Sequence, residues 1–337
     1  MNQNVPLDRP RVVVTQPLHE RVLRLLKESL DVVMNPGPEP WSSHTLHQHL
    51  ADADGLMAFM TDRVSAETLA AAPRLKVIAC ALKGYDNFDL QACKQRGVRV
   101  SYVPDLLTEP TAELALGLAI AAGRNIMAGD AKVRVGFQGW RPSLYGKGLH
   151  GSVASVIGLG AVGLAIAERL QGFGCSKVLG VDLRSRSMGV RQVSLSEAFA
   201  TSDFVFLALP LSPQTRHLID APLLRQAKPD MVLVNVGRGS VVRESDVADA
   251  LVGGHLGAYA ADVFELEDWG LDDRPRDIDA RLLSHPATVF TPHLGSAVKN
   301  VRLAIEEQAA AHLLYGLRQS GFQVDAPPLA QPFWVVT

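Results

Sequence analysis

An arginine at 238, a histidine at 293 and a lysine at 83 each follow a short apolar run with the composition of a buried strand. Open α/β sheets bind ligands beyond the carboxyl ends of their strands, so charged groups there are placed to meet a small molecule. Arginine offers a rigid donor fork to a flat or tetrahedral oxyanion. Its plain alternative is an exposed loop arginine. Histidine titrates near neutral pH and exchanges a proton with substrate or water, although a lone histidine is more often structural. Lys83 is a second cation for an anionic ligand, or else a solvated surface charge.

A fourth stretch, Gly158-Leu-Gly160-Ala-Val-Gly163, lies between an apolar strand-like run and a helical one. The first glycine suits a tight turn, the second a close approach of backbone to a pyrophosphate, and the third close packing of helix on strand. Phosphate then rests on the free amides of the helix start. Asp182 stands 19 residues past Gly163. An acid there bonds ribose hydroxyls and repels the extra phosphate of NADP. A turn aspartate is the alternative. Arg184 and Arg186 follow closely and weaken that exclusion. NAD is the expected cofactor, with some NADP use.

These residues need a scaffold of parallel strands. Short apolar runs alternate with helical patterns through most of the chain, the signature of parallel α/β architecture. Strands are expected near residues 11–15, 32–34, 55–60, 76–81 and 98–103. A helix spans 108–124, with Pro110 and Thr111 near its entry. Residues 136–151 are rich in glycine and aromatics and irregular. Six further strands, 153–157, 178–181, 204–207, 232–235, 258–261 and 289–291, match the count of a full doubly wound dinucleotide domain. A long amphipathic helix over 298–317 is placed to return to the first unit. The Pro-rich tail beyond Gln319 is expected as a poorly ordered segment or surface strap.

Composition narrows the class. The 337 residues are enough for two domains, and 47% are apolar. A net charge of −2 gives no reason to expect nucleic acid or an anionic membrane. No apolar run approaches the roughly 18 residues of a membrane helix, and the first residues lack an apolar leader region, so a cytoplasmic protein is expected. The three cysteines, Cys80, Cys93 and Cys175, lack metal-ligand spacing and suit isolated thiols, with Cys80 and Cys175 buried. No metal is expected.

Over about residues 11–320 the sequence resembles the D-2-hydroxyacid dehydrogenases. The resemblance is carried by Gly84-Tyr-Asp-Asn-Phe-Asp89, the glycine motif, Asn235-Val-Gly-Arg-Gly-Ser240, Asp262-Val-Phe-Glu-Leu-Glu267 and Thr291-Pro-His-Leu-Gly-Ser296. It implies two Rossmann-like doubly wound domains with the active site in the cleft between them. Residues 1–107 with 296–337 would form a discontinuous substrate-binding domain, and 108–295 the NAD-binding domain. It implies Arg238 as contact to the substrate anion and transition state, and His293 as the proton-exchanging group. Glu267 is implied as that histidine's carboxylate partner, with Glu265 as competitor. Cofactor contacts implied are Thr111, Gly158, Gly160, Ala161, Val162, Gly163, Asp182, Ala208, Leu209, Pro210, Val236, Gly237 and Asp262. Ordinary loop packing is the alternative for Thr111, Ala161, Val162, Ala208, Leu209, Pro210, Val236 and Gly237. A homodimer is also implied, associating through the helix from Thr108 and the arm to Gly151.

The sequence departs from the wider family before Gly84. Most members place a small or apolar residue there and receive the substrate carboxylate on backbone amides, whereas this chain has Lys83. One carboxylate hardly needs two cations. Phosphite, largely a dianion near neutral pH, does. The expected substrate contacts are Met60, Leu82, Lys83, Gly84 and Arg238, with Trp140 and Tyr145 as aromatics that reach the pocket or pack in the core or a dimer. The reaction implied is oxidation of phosphite to phosphate, with hydride passing to NAD and water supplying oxygen. The alternatives are oxidation of a small D-2-hydroxy acid such as glycerate or lactate, and an NAD-sensing protein without turnover.

Overall fold

A computed structural model describes residues 9–140, 143–184, 189–327 and 332–336. The chain divides into two compact units. Unit 1 holds the chain up to Leu107, Trp269–Leu271 and the chain from Lys299. Unit 2 holds Thr108–Asp268 and Asp272–Val298.

In unit 1 five short strands stack in parallel: β1 (Arg11–Val14), β2 (Asp31–Met34), β3 (Gly55–Ala58), β4 (Val77–Cys80) and β5 (Arg99–Ser101). Their lateral order is β2-β1-β3-β4-β5, the flavodoxin-like doubly wound order. β3 and β4 are buried along their whole length, as strands covered on both faces must be. That is why they are apolar without alternation.

In unit 2 the strands are β6 (Val153–Ile157), β7 (Lys177–Val181), β8 (Arg191–Gln192), β9 (Phe204–Leu207), β10 (Val232–Asn235), β11 (Ala258–Ala261) and β12 (Thr288–Phe290). The order is β8-β7-β6-β9-β10-β11-β12, all parallel. The fold class inferred from the alternating pattern, two Rossmann-like doubly wound sheets, is the one the structure has. The sheet has one strand more than the sequence pattern showed. β8 is only two polar residues long, so no hydrophobic run announces it. The helix Thr108–Gly123 is mostly apolar and buried, with Glu109 and Glu113 on its exposed edge beside Arg169.

The C-terminal region departs from expectation in two ways. The helix Lys299–Gln319 is not simply amphipathic: residues 309–314 are all buried. Small side chains, Ala309 to Ala311, let it press into the sheet of unit 1. The described end of the tail is an ordered strand rather than a poorly ordered segment. Trp334–Val336 forms β13, antiparallel to β5, and Val336 is buried. An open strand edge leaves backbone donors and acceptors unpaired, and this pairing satisfies them. Cys80 and Cys93 are buried, while Cys175 is only partly so. Among the described residues no helix is long and apolar enough to cross a membrane, and no group of His, Cys, Asp or Glu is arranged to hold a metal ion.

Candidate active site

The strand order of unit 2 reverses direction between β6 and β9, and the glycine turn lies at the carboxyl end of β6. Gly158 has φ 94°, and a side chain on it would strike the carbonyl of Ala208 at 2.8 Å. A side chain on Gly163 would run into the carbonyl of Gly158. Both positions are therefore closed to any other residue. Gly160 differs: a side chain there would meet nothing within 4 Å. Its bareness serves no internal packing. It leaves open space before the helix Ala161–Gly172, whose first residues, exposed Ala161 and half-buried Val162, present the helix start. This fits a pyrophosphate resting on the helix amides.

Asp182 follows β7. One carboxylate oxygen accepts from the Leu159 amide at 2.8 Å and the other from the Arg184 amide at 2.8 Å. The acid thus ties the second strand to the glycine turn. Arg186 lies outside the described residues. Across the crevice, Ala208 and Leu209 are half-buried and Pro210 is exposed just past β9. Val236 is buried, and Gly237 leaves no room for a side chain against the Leu209 backbone at 2.6 Å.

Arg238 stands on a turn built by Asn235, the fully buried last residue of β10. The Asn235 side-chain amide donates to the Arg238 carbonyl at 3.0 Å, and its side-chain carbonyl accepts from the Gly237 amide at 3.1 Å. An asparagine followed two residues on by a bonded amide is an Asx turn. That signal was available in the sequence, and Asn235 is a positioning residue the motif alone did not single out. Just beyond, Asp268 accepts from the Ser240 amide at 2.6 Å.

His293 has φ 57°, a left-handed conformation uncommon for a residue with a side chain. It is held there by amide bonds to the carbonyls of Asp262 at 2.9 Å and Thr291 at 3.0 Å. Its Nδ1 lies 2.5 Å from Oε2 of Glu267, with both side chains partly buried. Glu267 is fixed in turn because its Oε1 accepts from the Phe264 amide at 3.1 Å. With Nδ1 donating to the carboxylate, Nε2 is the ring nitrogen left for other work. Of the two candidate carboxylates, Glu267 is brought to His293, while Glu265 bonds His217 instead.

Asp262 is 2% exposed. It accepts from the Thr291 hydroxyl at 2.6 Å and from the amides of Leu294 at 2.6 Å and Gly295 at 2.8 Å. Burial raises its pKa despite those bonds and the nearby His293. In this structure Asp262 is a clamp on the histidine turn. Gly295 has little space beside it, since a side chain there would sit 3.0 Å from the Thr111 hydroxyl. Thr111 and Asp262 therefore converge on the same turn.

In unit 1 the Leu82 carbonyl still accepts from the Val103 amide at 3.0 Å, so Lys83 is the first residue beyond the edge of that pairing. Leu82 is buried, and Lys83, Gly84 and Met60 are half-buried. Burial lowers the pKa of Lys83, and Asp105 opposes that. The segment carrying Met60 is held by a buried network the sequence reading missed. Asp62 Oδ2 accepts from the Phe59 amide at 2.6 Å and from the Thr15 hydroxyl. Asn87 donates to the carbonyls of Met60 at 3.2 Å and of Asp62. Arg302, on the C-terminal helix, places its guanidinium 5.8 Å from the Phe59 ring centre. Arg302 lies in a helical run six positions past the Thr291–Ser296 motif, and nothing in that run pointed to this contact.

Burial pushes the Asp62 carboxyl up to about 6, against lowering by Phe59 and Thr15. An acid whose folded pKa is raised favours folding below its unfolded pKa, near 4. That contribution is lost as pH rises through about 6. The stability of Asp62→Asn relative to the parent is therefore expected to improve by roughly 2 kcal/mol between pH 4 and pH 8, measured by urea unfolding. A difference independent of pH would show that Asp62 ionises normally in the folded chain.

Comparison with known proteins agrees with this geometry. Residues 116–295 match the family model described as D-isomer specific 2-hydroxyacid dehydrogenase, NAD binding domain. A glyoxylate reductase of Korarchaeum cryptofilum is 34% identical over 313 residues, covering 91% of this chain and 92% of that protein. The crystal structure of the TT0316 protein from Thermus thermophilus superposes with a TM-score of 0.86 at 34% identity, covering 96% of this chain and 99% of that one. An NADPH-dependent glyoxylate/hydroxypyruvate reductase from Sinorhizobium meliloti, solved with NADP and malonate, gives a TM-score of 0.81 at 28% identity over 97% of this chain and 98% of its own. With a glycine turn shaped for a dinucleotide and a histidine paired to a glutamate past β12, the chain belongs to the D-isomer-specific 2-hydroxyacid dehydrogenase family and is an NAD-dependent oxidoreductase.

Proposed function

We propose that this chain is a phosphite dehydrogenase, oxidising phosphite to phosphate with NAD as hydride acceptor and water as oxygen source. The observation that carries this reading is Lys83, a half-buried lysine at the carboxyl end of a central strand, where most of the family has a small or apolar residue. The resemblance to phosphite dehydrogenase also extends through Gly55-Leu-Met-Ala-Phe-Met60, Val103-Pro-Asp-Leu-Leu107, and Phe137-Gln-Gly-Trp140 with Tyr145-Gly146.

NAD, when bound, would supply the two-electron acceptor for the hydrogen that leaves phosphorus as hydride. Arg238 and Lys83 hold the anion's oxygens and balance the charge that develops on them. His293 takes a proton from the attacking water on Nε2 while Glu267 keeps the ring oriented through Nδ1. The sum is phosphite, NAD⁺ and water giving phosphate, NADH and one proton. Leu82, Gly84 and Met60 shape the substrate side. Thr111, the glycine turn with Ala161 and Val162, Asp182, residues 208–210, Val236, Gly237 and Asp262 hold the cofactor. Residues 1–107 with 296–337 serve as the substrate-binding domain and 108–295 as the NAD-binding domain.

The comparisons support the alternative, a dehydrogenase of small 2-hydroxy acids, better than phosphite oxidation: the relatives are named glyoxylate reductases, at 31–34% identity over 91% or more of this chain. In that reading Arg238 holds the substrate carboxylate and His293 gives a proton to the 2-oxo group as hydride arrives. One assay separates the two: NADH formation from phosphite and from D-glycerate, and NADH consumption with glyoxylate. Turnover of the carbon acids without phosphite oxidation overturns the first reading. Tight NADH binding with no turnover of any of them would mark a sensing protein.

Asp182 is assigned to cofactor choice. Asp182→Ala is expected to raise the efficiency with NADP relative to NAD by about tenfold, by removing a like charge near the 2′-phosphate. An unchanged ratio in steady-state kinetics would assign the preference elsewhere.

We also infer a homodimer. The helix Ile126–Gly136 has no buried residue. Met127, Val133, Val135, Phe137, Trp140 and Tyr145 are each more than half exposed, between 53% and 87%. Exposed apolar side chains in this number along one segment suit an association surface. Light scattering is expected to give twice the 36.3 kDa chain mass, and Val135→Glu with Phe137→Glu is expected to return the monomer. A monomeric parent would remove the inference.

A further inference from the structure

We propose that unit 2 carries a second binding site, for a small polyanion, in a depression of about 360 Å³ walled by Arg216, Arg243 and Arg274. None of its walls belongs to the groups assigned above to NAD or substrate. Its volume falls at the lower end of the roughly 300–1,000 Å³ of small-molecule sites, the size of a compact metabolite with two or more anionic groups.

Charge selects the ligand class. Three guanidiniums meet two carboxylates, Glu265 and Asp273. Asp273 engages one terminal nitrogen of Arg216 at 2.7 Å, and Glu265 is engaged by His217. The Arg216 Nε is buried with no hydrogen-bond partner among the described residues. A buried donor left unmatched is costly, and an anionic oxygen is the acceptor that relieves it. Arg243 meets Asp246 only at 3.6 Å. Burial raises Glu265 to about 7, so it carries only part of a negative charge at neutral pH and the walls stay net positive. His217 registers the same field: burial first, then Arg243 and Arg216, lower its pKa.

The floor of the depression belongs to the turns that carry the reacting groups. His217 has φ 51° and its amide donates to the Ser240 carbonyl at 2.7 Å, two residues after Arg238. Gly239 packs directly on the Phe264–Glu265 backbone with no space for a side chain. Glu265 opens the same short turn that ends at Glu267. An anion bound by Arg216 and Arg243 would thus brace the backbone beneath both Arg238 and Glu267.

The test is isothermal titration calorimetry on the full NADH-loaded chain at constant ionic strength. Citrate is used in one arm and glycerol 3-phosphate in the other, so that carboxylate and phosphoryl chemistry are distinguished. The Lys83→Ala chain serves as a second host, so anion held by the catalytic groups is not mistaken for this site. Saturable binding is expected in at least one arm and in both hosts. Arg216→Gln with Arg243→Gln is expected to weaken it at least about tenfold, and Asp273→Asn to tighten it about threefold. The Asp273 variant decides the matter should the double variant fail to fold. Absence of saturable binding in both arms, or the same affinity in Asp273→Asn as in the parent, overturns the proposal.

Discussion

Lys83→Ala is expected to raise the KM for phosphite at least about a hundredfold while the Kd for NADH stays within about twofold, because losing one charge-assisted contact to a bound dianion costs roughly 2–3 kcal/mol. The expectation rests on position. Lys83 follows a strand buried along its whole length and is half-buried itself. Burial already lowers its pKa, with Asp105 opposing. An ammonium in such a place is partly shielded from bulk water, so an anion gains more from it than from a fully exposed lysine. Lys83→Arg is informative beside it. A guanidinium keeps the charge but changes the donor geometry, so partial recovery is expected. Should Lys83→Ala oxidise phosphite with the parent's KM, the main support for phosphorus oxidation is gone and the 2-oxo acid reading takes its place.

The larger loss is expected in turnover rather than affinity. Glu267→Gln should lower kcat by about two orders of magnitude, and His293→Asn by about three, the range of a positioned general acid or base. The reasoning follows the proton. Glu267 accepts from the Phe264 amide through Oε1 and faces Nδ1 of His293 through Oε2. A glutamine fits the same space, but its carbonyl is claimed by the Phe264 amide. Its NH₂ then faces Nδ1, which must become an acceptor, and the ring proton moves to Nε2. That tautomer cannot take a proton from water or substrate. Stopped-flow measurement of NADH formation with saturating substrate tests this, and NADH binding by fluorescence shows whether the fold of the site survives. A Glu267→Gln enzyme with parental kcat would mean that His293 moves no proton in the rate-limiting step.

Much of this was legible in the sequence because strand and helix periodicity are local properties. β6, β9, β10 and β11 are apolar runs bounded by polar residues, and Gly163 is dictated by contact with Gly158 in the same turn, whereas Gly158 is closed by Ala208 past β9. Arg238 and His293 could be picked because each directly follows such a run. The shortest elements were not legible. β8 is too brief to show a period, and β13, although composed of strand formers, is only three residues long and has its place set by the open edge of β5. The buried run at 309–314 looks like any small-residue helix segment until a sheet is laid beneath it.

The sequence by itself determined the two doubly wound sheets, the dinucleotide turn and the identity of the charged groups at strand ends. The tertiary structure decided which groups meet. It paired His293 with Glu267 and not Glu265, made Asp262 the clamp of the histidine turn, and gathered Arg216, Arg243 and Arg274 from separate loops around one depression. Hydrogen bonds and ion pairs between residues tens of positions apart depend on strand order and turn geometry. A one-dimensional pattern does not carry those distances.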